Sequence, residues 1–162
     1  MNSEFKRRNM KKGIFMTLLV TSLFLSNCNA GNSSHEDKKN ASNETVLQLS
    51  NDGFKKNIFN YEVNKEWKFE GTKPVIIDFY ADWCPPCRKL SPLVEEIAKE
   101  YEGKIVVYKV NTDKEKALAQ SLGITSLPTL LYIPAKGKPQ VTLGLIPKEQ
   151  IVKTVNEILL TN

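Results

Sequence analysis

The sequence predicts an α/β fold, a central mixed β-sheet flanked by helices on both faces. Three observations carry that reading. PVIIDFYA (residues 74–81) and KIVVYKV (104–110) are near-continuous apolar runs, as expected of strands buried on both faces. Segments with helical spacing of apolar residues alternate with the strands, which argues for parallel strands joined by crossover helices. A last pair of strands, TLLYI (129–133) and QVTL (140–143), supplies an antiparallel edge. The predicted order is β-α-β-α-β-α-β-β-α, with no internal repeat.

Taken along the chain, VLQL (46–49) reads as a short edge strand. NDGFKKNIFNY follows, with Phe54, Ile58 and Tyr61 on one helical face and Asn51 or Asp52 as the cap. KEWKFEGTK is a polar connection carrying aromatic residues, and the strand after it is broken only by Asp78. The next helix starts around Pro85. Leu90, Leu93, Val94, Ile97, Ala98 and Tyr101 place one stripe toward the core. Pro92 inside it is expected to kink the helix, because its ring meets the carbonyl four residues back. Thr112 and Glu115 have capping-box spacing and predict a helix through Leu122, stopped by Gly123. Pro147 to Leu160 is an amphipathic closing helix with Pro147 in its first turn.

At 162 residues, 41% hydrophobic and 25% charged, the chain suits one soluble domain plus terminal material. The formal charge of +5 is concentrated at one end. Residues 1–28 hold five basic residues (Lys6, Arg7, Arg8, Lys11, Lys12) against Glu4, and the rest holds 18 basic and 17 acidic residues. That distribution argues against nucleic-acid binding. A positive cluster, a 13-residue apolar run from Gly13 to Leu25 and small polar residues form the three-part layout of a secretory signal. The run is short of the roughly 20 residues that span a bilayer. Met1 and Met10 are both candidate starts, and the residues after Arg7-Arg8 match a twin-arginine signal poorly. LSNC (25–28) resembles a bacterial lipoprotein box with Cys28 as the lipid attachment site, although Asn27 departs from the usual small residue. Ordinary cleavage after Ala30 and an uncut anchor are the alternatives. Residues 29–44 contain no large apolar side chain and read as a flexible polar tether, with His35 a solvated member of it. The expected organisation is thus signal peptide 1–28, tether 29–44 and folded domain 45–162. The expected location is the bacterial periplasm or cell envelope, with a lipid anchor.

Two of the three cysteines, Cys84 and Cys87, stand three apart at the start of a predicted helix. That spacing lets the sulfurs form a small disulfide ring. Cys84 would meet the free N–H groups and positive dipole end of the helix, which favour its thiolate. Cys87, one turn in, would be buried and able to resolve a mixed disulfide. Zinc is disfavoured, since four ligands are needed, no second cysteine pair exists and His35 lies in the tether. An inert structural disulfide would rarely use this spacing at a helix start.

VIIDFYADWCPPCRKLSP, VVYKVNTDK, GITSLPTLLYI and GKPQVTLGLIPKEQI together resemble, in order, the motifs of the thioredoxin family. The resemblance spans about residues 46–160 and implies a thioredoxin fold. It implies that Cys84 is the nucleophile and Cys87 the resolving thiol, joined as a redox-active disulfide. Asp78 would be the buried carboxylate beneath Cys87, its pKa raised by burial so that it takes the resolving proton through a water. Lys109 would be its partner charge on the next strand, and Leu127-Pro128 a cis peptide facing the cysteines. Trp83, Pro85, Leu127 and Gly144 would bind substrate, with Pro128 bordering the same shallow patch. A packing or surface residue is the competing reading at Asp78, Lys109 and Trp83.

Two departures stand out. Tyr80 replaces a frequent tryptophan, and Pro85-Pro86 replaces the usual Gly-Pro. Each proline removes an N–H that could reach the Cys84 sulfur, which favours the disulfide and a stronger reductant. The same prolines stiffen the loop and could strain the oxidised ring. The resemblance therefore implies an exported protein-disulfide reductase acting by thiol-disulfide exchange, with no cofactor beyond its own disulfide. Its expected partners are disulfide-bearing client proteins and a membrane thiol donor, and it is expected to be a monomer. A protein-disulfide oxidant or isomerase is the alternative. A reductant for apocytochrome c maturation is a narrower one, against which no insertion appears between Tyr101 and Thr112 or between Leu122 and Thr129. A non-catalytic binding module built on the Trp83 patch is a third.

Overall fold

The computed structural model of the protein describes residues 45–161. The expected signal segment with Cys28 and the expected tether with His35 lie outside them. Five strands, β1 (Val46–Gln48), β2 (Val75–Tyr80), β3 (Val106–Asn111), β4 (Thr129–Ile133) and β5 (Gln140–Leu143), form one sheet in the order β1-β3-β2-β4-β5. β1 and β2 run parallel to β3, whereas β4 runs antiparallel to β2 and to β5. The parallel pairs need crossovers, provided by α1 (Asn51–Asn57) and α2 (Pro85–Glu100). α3 (Lys116–Ser121) joins β3 to β4, and α4 (Lys148–Thr154) closes the chain. This is the mixed sheet with flanking helices that the sequence predicts.

The alternation of side chains along β2 divides the core in two. Ile76 faces Leu90, Val94 and Ile97 of α2 and Ile151 of α4, together with Leu130 and Tyr132 of β4. Val75, Ile77 and Phe79 face Phe54 of α1 and Leu118 of α3 on the other side. Asp78 therefore lies on the α2 side of the sheet, buried between apolar neighbours in the strand. Pro92 sits inside α2 without ending it. Its missing N–H leaves the Arg88 carbonyl without that helical donor.

Local details differ from expectation at several helix ends. Ser50, rather than Asn51 or Asp52, caps α1, its Oγ accepting from the Gly53 amide at 3.1 Å. α1 ends at Asn57, so Tyr61 lies beyond it. Thr112 and Glu115 form no capping box. Thr112 Oγ1 donates to the Tyr80 carbonyl at 3.2 Å, and Glu115 Oε2 accepts from the Asn51 amide at 2.9 Å. Both side chains bind other elements, and α3 starts only at Lys116. Buried Asn111 organises that turn instead, its Oδ1 accepting from the amides of Asp113 (3.0 Å) and Lys114 (3.4 Å). Pro147 precedes α4 as its cap residue, and the helix widens into a π-helical turn over Val155–Leu159 that keeps both end residues buried.

Asn111 also donates through Nδ2 to Asp82 Oδ2 at 3.2 Å, tying the turn after β3 to the loop after β2. Asn111→Ala is expected to lower stability by about 1–2 kcal/mol, because it removes the hydrogen bonds of a buried side chain to the Asp113 amide and to Asp82. Urea unfolding should show a lower midpoint with an unchanged slope. A loss below about 0.5 kcal/mol, the usual range for a neutral surface change, would contradict the role given to Asn111.

Candidate active site

β2 ends at Tyr80 and α2 begins at Pro85, so a four-residue turn (81–84) delivers Cys84 to the helix start. The turn is closed by the Cys84 amide donating to the Ala81 carbonyl at 3.1 Å. Cys84 is the N-cap of α2, with extended backbone, and Pro85 and Pro86 fill the first two helical positions with φ values suited to them. Cys84 and Cys87 are joined as a disulfide with Cα atoms 5.3 Å apart. Cys84 Sγ accepts from the Cys87 amide at 3.2 Å, the first amide of α2 with an N–H to offer. Both cysteines are buried, Cys84 as well as Cys87, because Ala81, Tyr80 and Leu127 pack around the pair.

Asp78 lies on the side of β2 covered by α2, whose first turn carries the cysteines. Its side chain is 2% exposed and Oδ1 has no hydrogen-bond partner. Burial pushes its carboxyl up from 3.8 to about 7, against the opposing pull of the Lys109 cation. Lys109 is the residue directly beside Asp78 in the β2–β3 register. Its Nζ lies 5.7 Å from the centre of the Tyr80 ring, so the tyrosine at this position offers the lysine an aromatic face.

The Leu127–Pro128 peptide is cis. The Gly144 amide donates to the Pro128 carbonyl at 2.8 Å, and Gly144 has φ +80°, a conformation that a side chain disfavours. An open groove of about 370 Å³ runs beside the disulfide, lined by Trp83, Cys84, Pro85 and Leu127 among the expected residues. Pro128 and Gly144 do not line it. They pair with each other one step behind Leu127, while Pro86, Thr112 and the segment Ile124–Ser126 complete the wall. The sequence reading missed those positions. The GITS stretch was legible as the approach to Pro128, but nothing in its spacing showed which way its side chains turn.

Trp83 is 67% exposed, and its Nε1 donates to Asp113 Oδ2 at 2.9 Å. Asn111, the last residue of β3, and Asp113, in the turn after it, are the other missed residues. Together they clamp the Asp82–Trp83 corner from the neighbouring strand end. Among the described residues no three His, Cys, Asp or Glu side chains converge as a metal site.

The pH dependence of stability follows from Asp78. Its folded value lies above its ordinary one, so the protonated acid contributes stability that is fully present below about pH 4 and lost as pH rises through about 7. Asp78→Asn removes that loss. In the oxidised protein the variant is expected to gain on the wild type between pH 4 and 8, by an amount on the order of a few kcal/mol at the upper end. A difference between the two that stays flat across that range in urea unfolding would contradict a buried, raised Asp78.

Comparison with known proteins agrees with this geometry. The thioredoxin family profile matches residues 46–157. A thioredoxin of Borreliella burgdorferi is 46% identical over 111 residues, covering 67% of this chain and 95% of the relative. A thioredoxin of Pyropia yezoensis is 37% identical over 115 residues, covering 71% of this chain and 98% of the relative. Among solved structures, chloroplastic thioredoxin z superposes with a TM-score of 0.60 at 30% identity, covering 70% of this chain and 93% of that one. Thioredoxins act on disulfide-bearing substrates through a redox-active disulfide, without an external cofactor. With its strand-turn-helix cysteine pair and these relatives, the chain belongs to the thioredoxin family and is a thiol-disulfide oxidoreductase.

Proposed function

We propose that the protein is an extracytoplasmic protein-disulfide reductase, held at a membrane by lipid on Cys28 and recharged by a membrane thiol donor. The observation that carries the reducing direction is the donor count at Cys84. With Pro85 and Pro86 at the first two helical positions, the Cys87 amide is the only backbone donor to the sulfur among the described residues. A thiolate with few donors is less stabilised, which tilts the couple toward the disulfide and makes the dithiol form the stronger reductant. The leader sequence and the lipoprotein-like LSNC stretch support the location.

In the reduced protein the Cys84 thiolate attacks one sulfur of a client disulfide. A bond forms between Cys84 and that sulfur, and the client's other sulfur leaves as a thiolate. Asp78, with its pKa near 7, accepts the Cys87 proton while ionised. The Cys87 thiolate then attacks Cys84 Sγ, closing the disulfide and releasing the client's second thiolate, which takes up a proton. Two electrons have passed from the cysteine pair to the client, and an external dithiol returns them. Lys109 acts by position, keeping a positive charge beside Asp78 so that its carboxylate form stays accessible. The backbone of Leu127 makes no hydrogen bond among the described residues, so an extended client segment can pair with it next to the sulfurs. Trp83 and Pro85 supply apolar surface in the adjoining groove, and Pro128 with Gly144 holds Leu127 from behind. The domain works as a monomer in this scheme, since every group it uses lies in one chain.

Cys87→Ser stops the cycle after the first attack. Cells producing this variant are expected to accumulate mixed disulfides between Cys84 and extracytoplasmic proteins, released by dithiothreitol and absent from the Cys84→Ser/Cys87→Ser variant. Recovery of no trapped client, or of cytoplasmic clients alone, would contradict the proposal.

A further inference from the structure

The end of the sheet opposite the disulfide is rich in unpaired lysines. Lys73 precedes β2, Lys104 precedes β3, Lys136 and Lys138 follow β4, and Lys56 lies near the end of α1. All five are exposed, and among the described residues none is in an ion pair. The strand directions require them to share one pole. Val75 at the start of β2 pairs with Val106 at the start of β3 and with Ile133 at the end of β4. Lys73, Lys104 and Lys136 surround a groove of about 480 Å³ whose other walls include Pro134, Leu159 and Leu160. Acids on the adjoining loops are Glu62, Glu66, Glu70 and Glu102, of which Glu62 is already engaged by Lys55 at 3.0 Å and Glu70 by Lys68 at 3.4 Å.

The upstream chain arrives at this same pole. β1 is parallel to β3 with Val46 beside Val107, so residue 45 leads into the sheet at the lysine-bearing end. Sixteen residues (29–44) separate this point from Cys28, a contour of at most about 58 Å. We infer that the lysine pole is a docking surface for the anionic phospholipid headgroups of the membrane to which the chain is anchored. The lysines meet phosphates around the half-buried Leu160, and the disulfide pole is left facing away from the bilayer. The attraction is electrostatic and short-ranged, fading over roughly 8 Å at physiological salt. A tether of that contour keeps the domain close enough for it to act. This inference rests on the lipid-anchored reading given above, but it concerns different residues and is tested separately.

Residues 45–162 carry both core clusters and contain the whole thioredoxin family match at 46–157, so the domain alone can be used. Its partition onto phosphatidylcholine vesicles is compared with that onto vesicles holding 30% phosphatidylglycerol, by sedimentation at low and high salt. Binding at least tenfold stronger to the anionic vesicles is expected, and lost at high salt. Lys73→Gln/Lys104→Gln/Lys136→Gln should reduce it at least tenfold, while the charge-matched Lys89→Gln/Lys114→Gln/Lys116→Gln at the disulfide pole should not. All six side chains are exposed, so neither triple removes core packing. Equal loss in both triples, or equal binding to both vesicle types, would overturn the assignment. So would binding to a soluble polyanion such as heparin without binding to the vesicles. The anchor is judged independently by mass spectrometry of the mature N-terminus: acyl chains on Cys28 uphold it, and a chain starting at Gly31 refutes it without touching the vesicle result.

Discussion

One backbone amide, that of Cys87, reaches the sulfur of Cys84. A side chain at a helix N-cap ordinarily has several free N–H groups within reach, since the first turn leaves its donors unsatisfied. Here two of those donors are absent by covalent structure, because proline occupies both positions. The dipole of α2 still favours an anion at Cys84, and its 16-residue length supplies the aligned peptides. The prolines remove part of the short-range share of thiolate stabilisation and leave the Cys87 amide. Much else in the fold serves to hold that helix start in place. The four-residue turn from β2, the Asp113–Trp83 and Asn111–Asp82 hydrogen bonds, and the packing of Leu127 all fix it from different sides.

The second constraint lies within the sheet. A carboxyl group in the middle of a strand otherwise made of Val, Ile, Ile, Phe and Tyr is costly unless it stays neutral or finds a partner. Asp78 does some of each. Its pKa near 7 puts both its neutral and its ionised form within reach around neutral pH, and Lys109 one strand away tempers the burial. Such a group can give and take a proton under the conditions in which the protein works, which a solvated aspartate with its ordinary value cannot.

Much of this was legible in the sequence, and for identifiable reasons. Near-continuous apolar runs located β2 and β3, and the 3.6-residue stripe located α2 within a residue. An isolated acid inside an apolar strand marked Asp78 as unusual before any neighbour was known. What escaped was set by side chains choosing between partners. Thr112 and Glu115 had the spacing of a local cap, yet each bonds to a different element, and Asn111 took the role. Ser50 likewise displaced its neighbours as the cap of α1. The groove wall at Ile124–Ser126 depends on how a loop folds back over the cysteine turn, and no periodicity encodes that. Asp113 could have been suspected from its place after a strand end, but its partner Trp83 lies 30 residues away.

On the proposed function, the missing donors at positions 85 and 86 make this couple reducing. Equilibrating the folded domain against glutathione, with thiols counted at each ratio, gives the reduction potential of Cys84–Cys87. A reductant has a value near about −270 mV or lower, with Pro86→Ala shifted to a less negative potential because it restores an N–H to the sulfur. A wild-type value between about −180 and −120 mV would contradict it and point to a disulfide-donating role.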